Sequence, residues 1–383
     1  MFNRKVFNRK GFNRKVFNRK ALLAASAPMV LAVAACGGDT TTADTASNAP
    51  PVAAGGSSDA TVAIRGAGAT FPAPLFQRWF DAYSREVNPD VQVSYQAVGS
   101  DAGLDQYIGG TVDFGASEAP ITASKDRMRS FADAYSYDPI QIPLTGGFLS
   151  FSYNLPGLDN LELRLSRDVY CGIVTGEITQ WSDPAIAAIN PNLVLPDLPI
   201  TWAHRSDGSG TTFVFVNHIN TVCEGWAGGV GTSVDWPVGI GSQGNEGVAA
   251  SIQQNEGAIG YLSYAYAALN DIDSAVIENN AGNYIEPSPE TAGNALLDQE
   301  VPEDFALLVP DPTGPSSYPI VGLTWIMIYN NYEDEAKWQA MRDVFEWSLS
   351  PDGRAIAEEL LYVPLPDPLV ERIQEVLDTV NAG

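Results

Sequence analysis

Three times in this chain a stretch of strand character runs into a knot of glycine, serine and threonine and then into an apolar helical face. The densest case is His204-Arg205-Ser206-Asp207-Gly208-Ser209-Gly210-Thr211-Thr212, fed by Ile200 to Ala203 and followed by Phe213-Val214-Phe215-Val216. The second runs from Gly66 to Phe71, after a strand at Thr61 to Ile64. Pro72 and Pro74 follow it in a first helical turn, then Leu75, Phe76, Trp79, Phe80 and Tyr83 at helical spacing. The third is Gly99-Ser100-Asp101-Ala102-Gly103, after the alternating stretch Val91 to Val98 and before Leu104, Tyr107 and Ile108. A repeated strand–turn–helix unit restricts the chain to an α/β architecture with parallel or mixed sheets. Ligands of such sheets bind beyond the carboxyl ends of the strands. The helices starting there expose unpaired N–H groups, and hydroxyls with an arginine beside them make an anion site.

The remaining periodicity fills in the same pattern. It predicts strands at Val112 to Ala116, Pro139 to Leu144 and Phe148 to Tyr153, with a break at Gly146-Gly147. Further strands are expected at Gly257 to Leu262 and, as one long apolar strand, over Tyr318 to Val321 and Leu323 to Tyr329. Helices are expected over Lys125 to Tyr135, Arg167 to Thr175, Pro184 to Ile189, and from Gly244-Asn245-Glu246-Gly247 through Gln254. Three more follow at Lys337 to Leu349, Arg354 to Leu361 and Pro368 to Val380, while 279–315 reads mostly as loop.

The front of the chain is of another kind. Phe-Asn-Arg-Lys occurs four times in the first 20 residues, and an apolar small-residue stretch runs from Ala21 to Ala35. A basic front before a short apolar run reads as an export signal, too short to span a membrane. Val33-Ala34-Ala35-Cys36 resembles a bacterial lipobox, which implies cleavage before Cys36 and lipidation of its thiol; the other reading is a soluble export signal with a chance cysteine. Residues 36–60 are rich in Gly, Ser, Thr, Ala and Pro and read as a flexible tether.

Eight of the 21 basic residues lie in that repeat and all 46 acids lie after it. Removal of the leader leaves 13 bases against 46 acids, a net charge of −33. Such a surface argues against a nucleic-acid partner. It also repels anions at long range, so an anion site here must work through short-range hydrogen bonds. Cys171 and Cys223 remain after Cys36. In an oxidising compartment a disulfide is one reading of the pair, and two buried free thiols the other. With two histidines and no ligand cluster, the sequence gives no sign of a metal or other cofactor. His204, Asp207 and Ser209 have the residue types of a hydrolase triad, but their spacing is too tight for its geometry.

Five motifs in one order resemble the phosphate-binding, substrate-capturing lipoproteins of Pst-type phosphate ABC transporters. They are Gly66 to Pro74 (GAGATFPAP), Asp113 to Ser117 (DFGAS), Arg205 to Thr211 (RSDGSGT), Gly257 to Tyr261 (GAIGY) with Tyr264 to Tyr266 (YAY), and Tyr318 to Ile320 (YPI). The resemblance covers about residues 61–383. It implies a type II periplasmic-binding-protein fold: two mixed-sheet lobes joined by two hinge strands near Thr145–Phe148 and Val321–Thr324. Lobe I would be 61–145 with 322–383, and lobe II 146–321.

The resemblance also implies a ligand set for hydrogen phosphate: Thr70 and the backbone N–H of Phe71, then Ser100, then Arg205, Ser209, Gly210 and Thr211, with Asp207 orienting the guanidinium. An acid follows the Phe-Gly-Ala-Ser motif, and here it is Glu118 where the family usually has Asp. Its expected role is to accept the proton that phosphate carries and sulfate lacks, leaving sulfate facing a carboxylate with no hydrogen bond. Asp101 stands where the family commonly has a small residue; it either caps its helix or serves as a second proton acceptor. The implied partners are phosphate and the permease subunits, and the expected state is a monomer. The alternative is a phosphate-ester hydrolase on the same lobes, which would need a nucleophile or metal that the motifs do not supply.

Overall fold

A computed structural model describes residues 61–297 and 299–383. Cys36, the leader and the tether lie outside the described residues.

One mixed sheet carries the fold. Its principal strands are β1 (Val62–Gly68), β2 (Val91–Ala97), β3 (Phe114–Ser117), β4 (Ile140–Tyr153), β5 (Thr201–Arg205), β6 (Ile240–Ser242), β7 (Ala258–Ser263) and β8 (Val321–Ile328). They lie in the order β2-β1-β3-β8-β4-β7-β5-β6. The strands β2, β1 and β3 are parallel at one end, and β7, β5 and β6 are parallel at the other. The long strands β4 and β8 run antiparallel between these two sets, with Thr145 opposite Thr324 and Phe148 opposite Val321. β4 belongs to both halves: Ile140 to Phe148 pairs with β8, and Leu149 to Tyr153 pairs with β7.

Each parallel strand feeds a helix, as the repeated units predict. α1 (Ala73–Ala82) follows β1, α2 (Ser100–Ile108) follows β2, and α3 (Lys125–Tyr135) follows β3. On the other side, α4 (Arg167–Thr175) precedes β5, α5 (Gly210–Val222) follows it, and α6 (Gly244–Gln254) follows β6. The apolar face of α1 buries Leu75, Phe76, Trp79 and Phe80 in the core, the stripe expected of its 3.6-residue spacing.

Three expectations need correction. Gly66 to Gly68 continues β1 instead of turning, because it pairs in register with Phe114 to Ala116. Gly146-Gly147 does not divide two strands: β4 runs through it, and the glycines give room to neighbours instead. A Cβ on Gly147 would lie 2.3 Å from the Phe71 ring. The strand expected from Tyr318 begins only at Val321, the first residue of β8, while 279–315 is mostly loop as expected, with α7 (Pro289–Leu297) folded within it. The C-terminal helices α8 (Glu335–Ser348), α9 (Pro351–Glu359) and α10 (Asp367–Leu377) appear where the periodicity puts them, shifted by a few residues.

Cys171 on α4 and Cys223 just after α5 form a disulfide, with Cα atoms 5.4 Å apart. It ties α4 to the helix whose start bears the Ser209-Gly210-Thr211 motif. No helix among the described residues is long and apolar enough to cross a membrane.

Candidate functional site

The carboxyl ends of β1, β2, β3, β5, β6 and β7 deliver the site. Thr70 and Phe71 follow β1, Ser100 opens α2, and Glu118 ends the β3 motif. Arg205 ends β5, Gly210 and Thr211 open α5, and Asn245 opens α6. Every one of these residues is buried; among their side chains Ser100 and Glu118 have no exposed surface.

Two clusters of contacts join the halves. In one, the Gly210 N–H donates to Ser100 Oγ at 2.7 Å, and a Cβ on Gly210 would lie 2.6 Å from Glu118 Oε2. Ser100, Gly210 and Glu118 therefore touch, although they come from three separate elements. In the other, Asn245 donates to Thr70 Oγ1 from its backbone N–H at 3.1 Å and from Nδ2 at 2.8 Å. Its Nδ2 also reaches Thr211 Oγ1 at 3.1 Å. Ser209 caps α5 by accepting from the Thr212 N–H at 3.1 Å, so its own hydroxyl proton stays free to donate.

Arg205 and Asp207 form the ion pair expected of them. Nε and Nη2 of Arg205 donate to the two carboxylate oxygens at 2.7 and 2.5 Å, and the Gly244 N–H adds a third bond to Asp207 at 3.1 Å. Burial pushes the Asp207 carboxyl up, but the guanidinium outweighs it and holds the group below its ordinary value. One edge of the guanidinium is thus occupied, while Nη1 is buried with no protein partner. An unpaired buried N–H of this kind is costly unless an acceptor arrives.

The second unpartnered atom is Glu118 Oε2; its Oε1 accepts from Thr324 Oγ1 at 3.0 Å. Burial raises this carboxyl to about 8, against the opposing pull of the Thr324 hydroxyl and the Arg205 charge. Near neutral pH the side chain therefore holds a proton of its own.

Three tyrosines hold the turn after β1. Tyr95 donates to the carbonyl of Ala69, Tyr266 to that of Thr70 and Tyr362 to that of Phe71, at 2.8, 2.7 and 2.6 Å. Burial keeps all three phenols above their ordinary values, so they stay donors. Three consecutive carbonyls pinned from outside fix the plane of each peptide in the turn.

Asp101 does not cap its helix. The N-cap of α2 is Gly99, and no side chain caps it. The Asp101 carboxylate pairs instead with Arg127 at 2.9 Å and accepts from Thr232 Oγ1 at 2.9 Å. His204 stacks on Trp236 with ring centroids 5.0 Å apart and bonds to the Arg205 carbonyl, an arrangement with no triad relay. A cavity of about 690 Å³ between α7 and α10 is lined mainly by apolar side chains and offers no convergent donors.

A family model described as a PBP superfamily domain matches residues 50–352. The phosphate-binding protein PstS of Pasteurella multocida is 37% identical over 317 residues, covering 81% of this chain and 88% of that protein. Its namesake in Xylella fastidiosa is 38% identical over 318 residues, covering 82% and 84%. The chain belongs to the PstS phosphate-binding protein family. These relatives are named as binding proteins, not enzymes. The fold is shared with a high-affinity periplasmic phosphate-binding protein solved with phosphate bound, at a TM-score of 0.69 and 22% identity over 82% of this chain and 93% of that one. A Clostridium perfringens phosphate transporter substrate-binding protein, also solved with phosphate, gives a TM-score of 0.57 at 17% identity, covering 79% and 100%.

The resemblance gave no place in the ligand site to Asn245, Thr324, Tyr95 or Tyr362, and Tyr266 lay in one of its motifs without a role. For Asn245 a signal existed, since Gly244-Asn245-Glu246-Gly247 is one more helix start after a strand. Thr324 had none: it lies inside an apolar strand, and only the pairing of β8 with β3 and β4 brings it to Glu118.

Proposed function

We propose that this chain captures inorganic phosphate, as hydrogen phosphate, outside the cytoplasm and delivers it to an ABC-type importer. The reading is carried by one observation: two buried atoms, a guanidinium nitrogen (Arg205 Nη1) and a carboxyl oxygen (Glu118 Oε2), lack protein partners amid converging hydroxyls and helix N-termini. A tetrahedral anion that still carries a proton answers both. The ligands would be Thr70 and the Phe71 N–H, Ser100, Glu118, Arg205, Ser209, Gly210 and Thr211, with Asp207 holding the guanidinium. Hydroxyls and amides donate without adding charge, and one arginine supplies the planar fork. The names of the relatives and the phosphate in the two solved structures support this reading.

In this proposal residues 61–145 and 322–383 form one lobe and 146–321 the other. The paired stretches Thr145–Phe148 and Val321–Thr324 act as hinges. Closure on the anion is the state the permease recognises. The protein works as a monomer, anchored by a lipid on Cys36 with residues 37–60 as its leash. Intact mass of protein recovered from membranes tests the anchor; an unmodified Cys36 removes it. The binding reading is tested by calorimetry on phosphate-stripped protein. One phosphate per chain should bind, about a hundredfold more tightly than sulfate at pH 10, and a titration with no phosphate binding would overturn the proposal.

A further inference from the structure

Asn245 belongs to none of the family motifs, yet it is fully buried and uses its whole polar inventory inside the site. Its Oδ1 accepts from the Ser263 N–H at 2.9 Å. A backbone N–H can only donate, so this bond fixes which way the amide faces. Nδ2 must then point its two hydrogens at Thr70 Oγ1 and Thr211 Oγ1, at 2.8 and 3.1 Å. The Asn245 backbone N–H adds another bond to Thr70 Oγ1 at 3.1 Å.

A hydroxyl has two lone pairs and one proton. Thr70 spends both lone pairs on Asn245, so the proton is all it has left. Thr211 accepts one bond from the same amide and is biased likewise. A free hydroxyl can turn either face to a neighbour, and an oxyanion gains only from the donor face. We infer that Asn245 is a positioning residue that sets the hydroxyls of Thr70 and Thr211 as donors toward the bound anion. The inference rests on the proposed phosphate reading. It adds a selectivity device: a ligand that needs an acceptor finds none at Thr70 and a single remaining lone pair at Thr211. The two threonines come from opposite ends of the sheet, so one amide sets both sides of the cleft at once.

The test is a double-mutant cycle read by phosphate calorimetry at pH 8. Asn245→Ala should weaken binding about tenfold in the otherwise native protein, the scale of one or two net hydrogen bonds. In a Thr70→Val/Thr211→Val background the same substitution should cost little further, because the hydroxyls it acts through are gone. An equal loss in both backgrounds would overturn the inference, since a purely structural asparagine gives additive effects. Thermal melts accompany each variant. If Asn245→Ala does not fold, Asn245→Asp serves, because it keeps the acceptor for the Ser263 N–H. Asn245→Asp should bind phosphate at least a hundredfold more weakly than wild type at pH 8. It should regain ground relative to wild type as the pH falls to 5, where a protonated carboxyl donates again. Wild-type affinity at pH 8, or a pH-independent ratio, would overturn the inference. A wild-type chain that does not bind phosphate would sink the functional reading itself, a result distinct from additivity.

Discussion

Thr324 donates its hydroxyl proton to Glu118 Oε1 across 3.0 Å, although 206 residues separate the two. The contact joins β8 to the end of β3 and leaves Oε2 as the only oxygen of Glu118 turned to the site. The carboxyl is raised to about 8 by burial, with Thr324 the first of the opposing influences. In the proposed site, discrimination against sulfate therefore depends on whether Glu118 is protonated. Sulfate fits beside Glu118 only when Glu118 itself holds a proton, whereas hydrogen phosphate brings its own. Below about pH 8 the protein already holds that proton and sulfate suffers little. Above it, sulfate must take up a proton to bind, so the phosphate-to-sulfate affinity ratio should rise about tenfold per pH unit. Thr324→Val removes an influence that lowers the carboxyl, so it should move the onset upward by about one pH unit. Competition calorimetry from pH 6 to 10 reads both, and a flat ratio would contradict the account.

The same carboxyl leaves a mark on stability. The folded value of Glu118 lies above its ordinary value of 4.5. The folded state then binds the proton more tightly than the unfolded chain. Its stabilising contribution is complete below about pH 4.5 and is lost as the pH rises toward 8, at up to about 1.4 kcal/mol per pH unit. Glu118→Gln abolishes that loss. In phosphate-free buffer the variant should gain on wild type steadily between pH 5 and pH 8 and hold a constant lead above that. Melting curves that stay parallel across the range would refute this.

Gly210 packs directly against Glu118 and Ser100. A Cβ there would lie 2.5 Å from the Glu118 N and 2.8 Å from Ser100 Oγ. Real Cβ atoms do not approach so near, so Gly210→Ala must push α5 away from α2 and the end of β3. Overpacking of this kind costs roughly 1–3 kcal/mol. Under the proposed closure about the two hinges, this strain arises only when the lobes meet, so it should fall on phosphate affinity, about ten- to a hundredfold, and spare the ligand-free melting temperature. Calorimetry beside thermal melts separates the two; a fall in melting temperature with unchanged affinity would place the strain elsewhere.

How far the site could be read in advance depended on chain distance. Ser209, Gly210 and Thr211 were legible because helix-start chemistry is local: a hydroxyl, a glycine and an apolar run within a few residues. Arg205 and Asp207 were legible because their pairing spans two residues. Tyr95, Tyr266 and Tyr362 were not, since each reaches the 69–71 turn from another element, up to 291 residues away. The double glycine at 146–147 misled for the same reason. Glycine between apolar runs signals a turn locally, while here the deciding partner is the Phe71 ring, 76 residues earlier. Asp101 misled because a helix-start acid reads as a cap, and nothing local announces that Arg127 and Thr232 claim it.

The charge of the chain makes a kinetic prediction. With 13 bases against 46 acids after the leader, the protein repels a phosphate dianion over distances of about a Debye length, roughly 10 Å at 0.1 M salt. Screening that repulsion should speed encounter, the reverse of what an electropositive cleft gives. In the proposed site the bound anion, by contrast, is held by buried hydroxyls, amides and Arg205, which salt reaches poorly. Raising ionic strength from 0.01 to 1 M with a non-binding salt should therefore increase the association rate severalfold. The dissociation rate should change much less. Stopped-flow mixing with phosphate over that range measures both. An association rate that falls as salt is added would mean that local positive potential near the site overrides the field of the whole molecule.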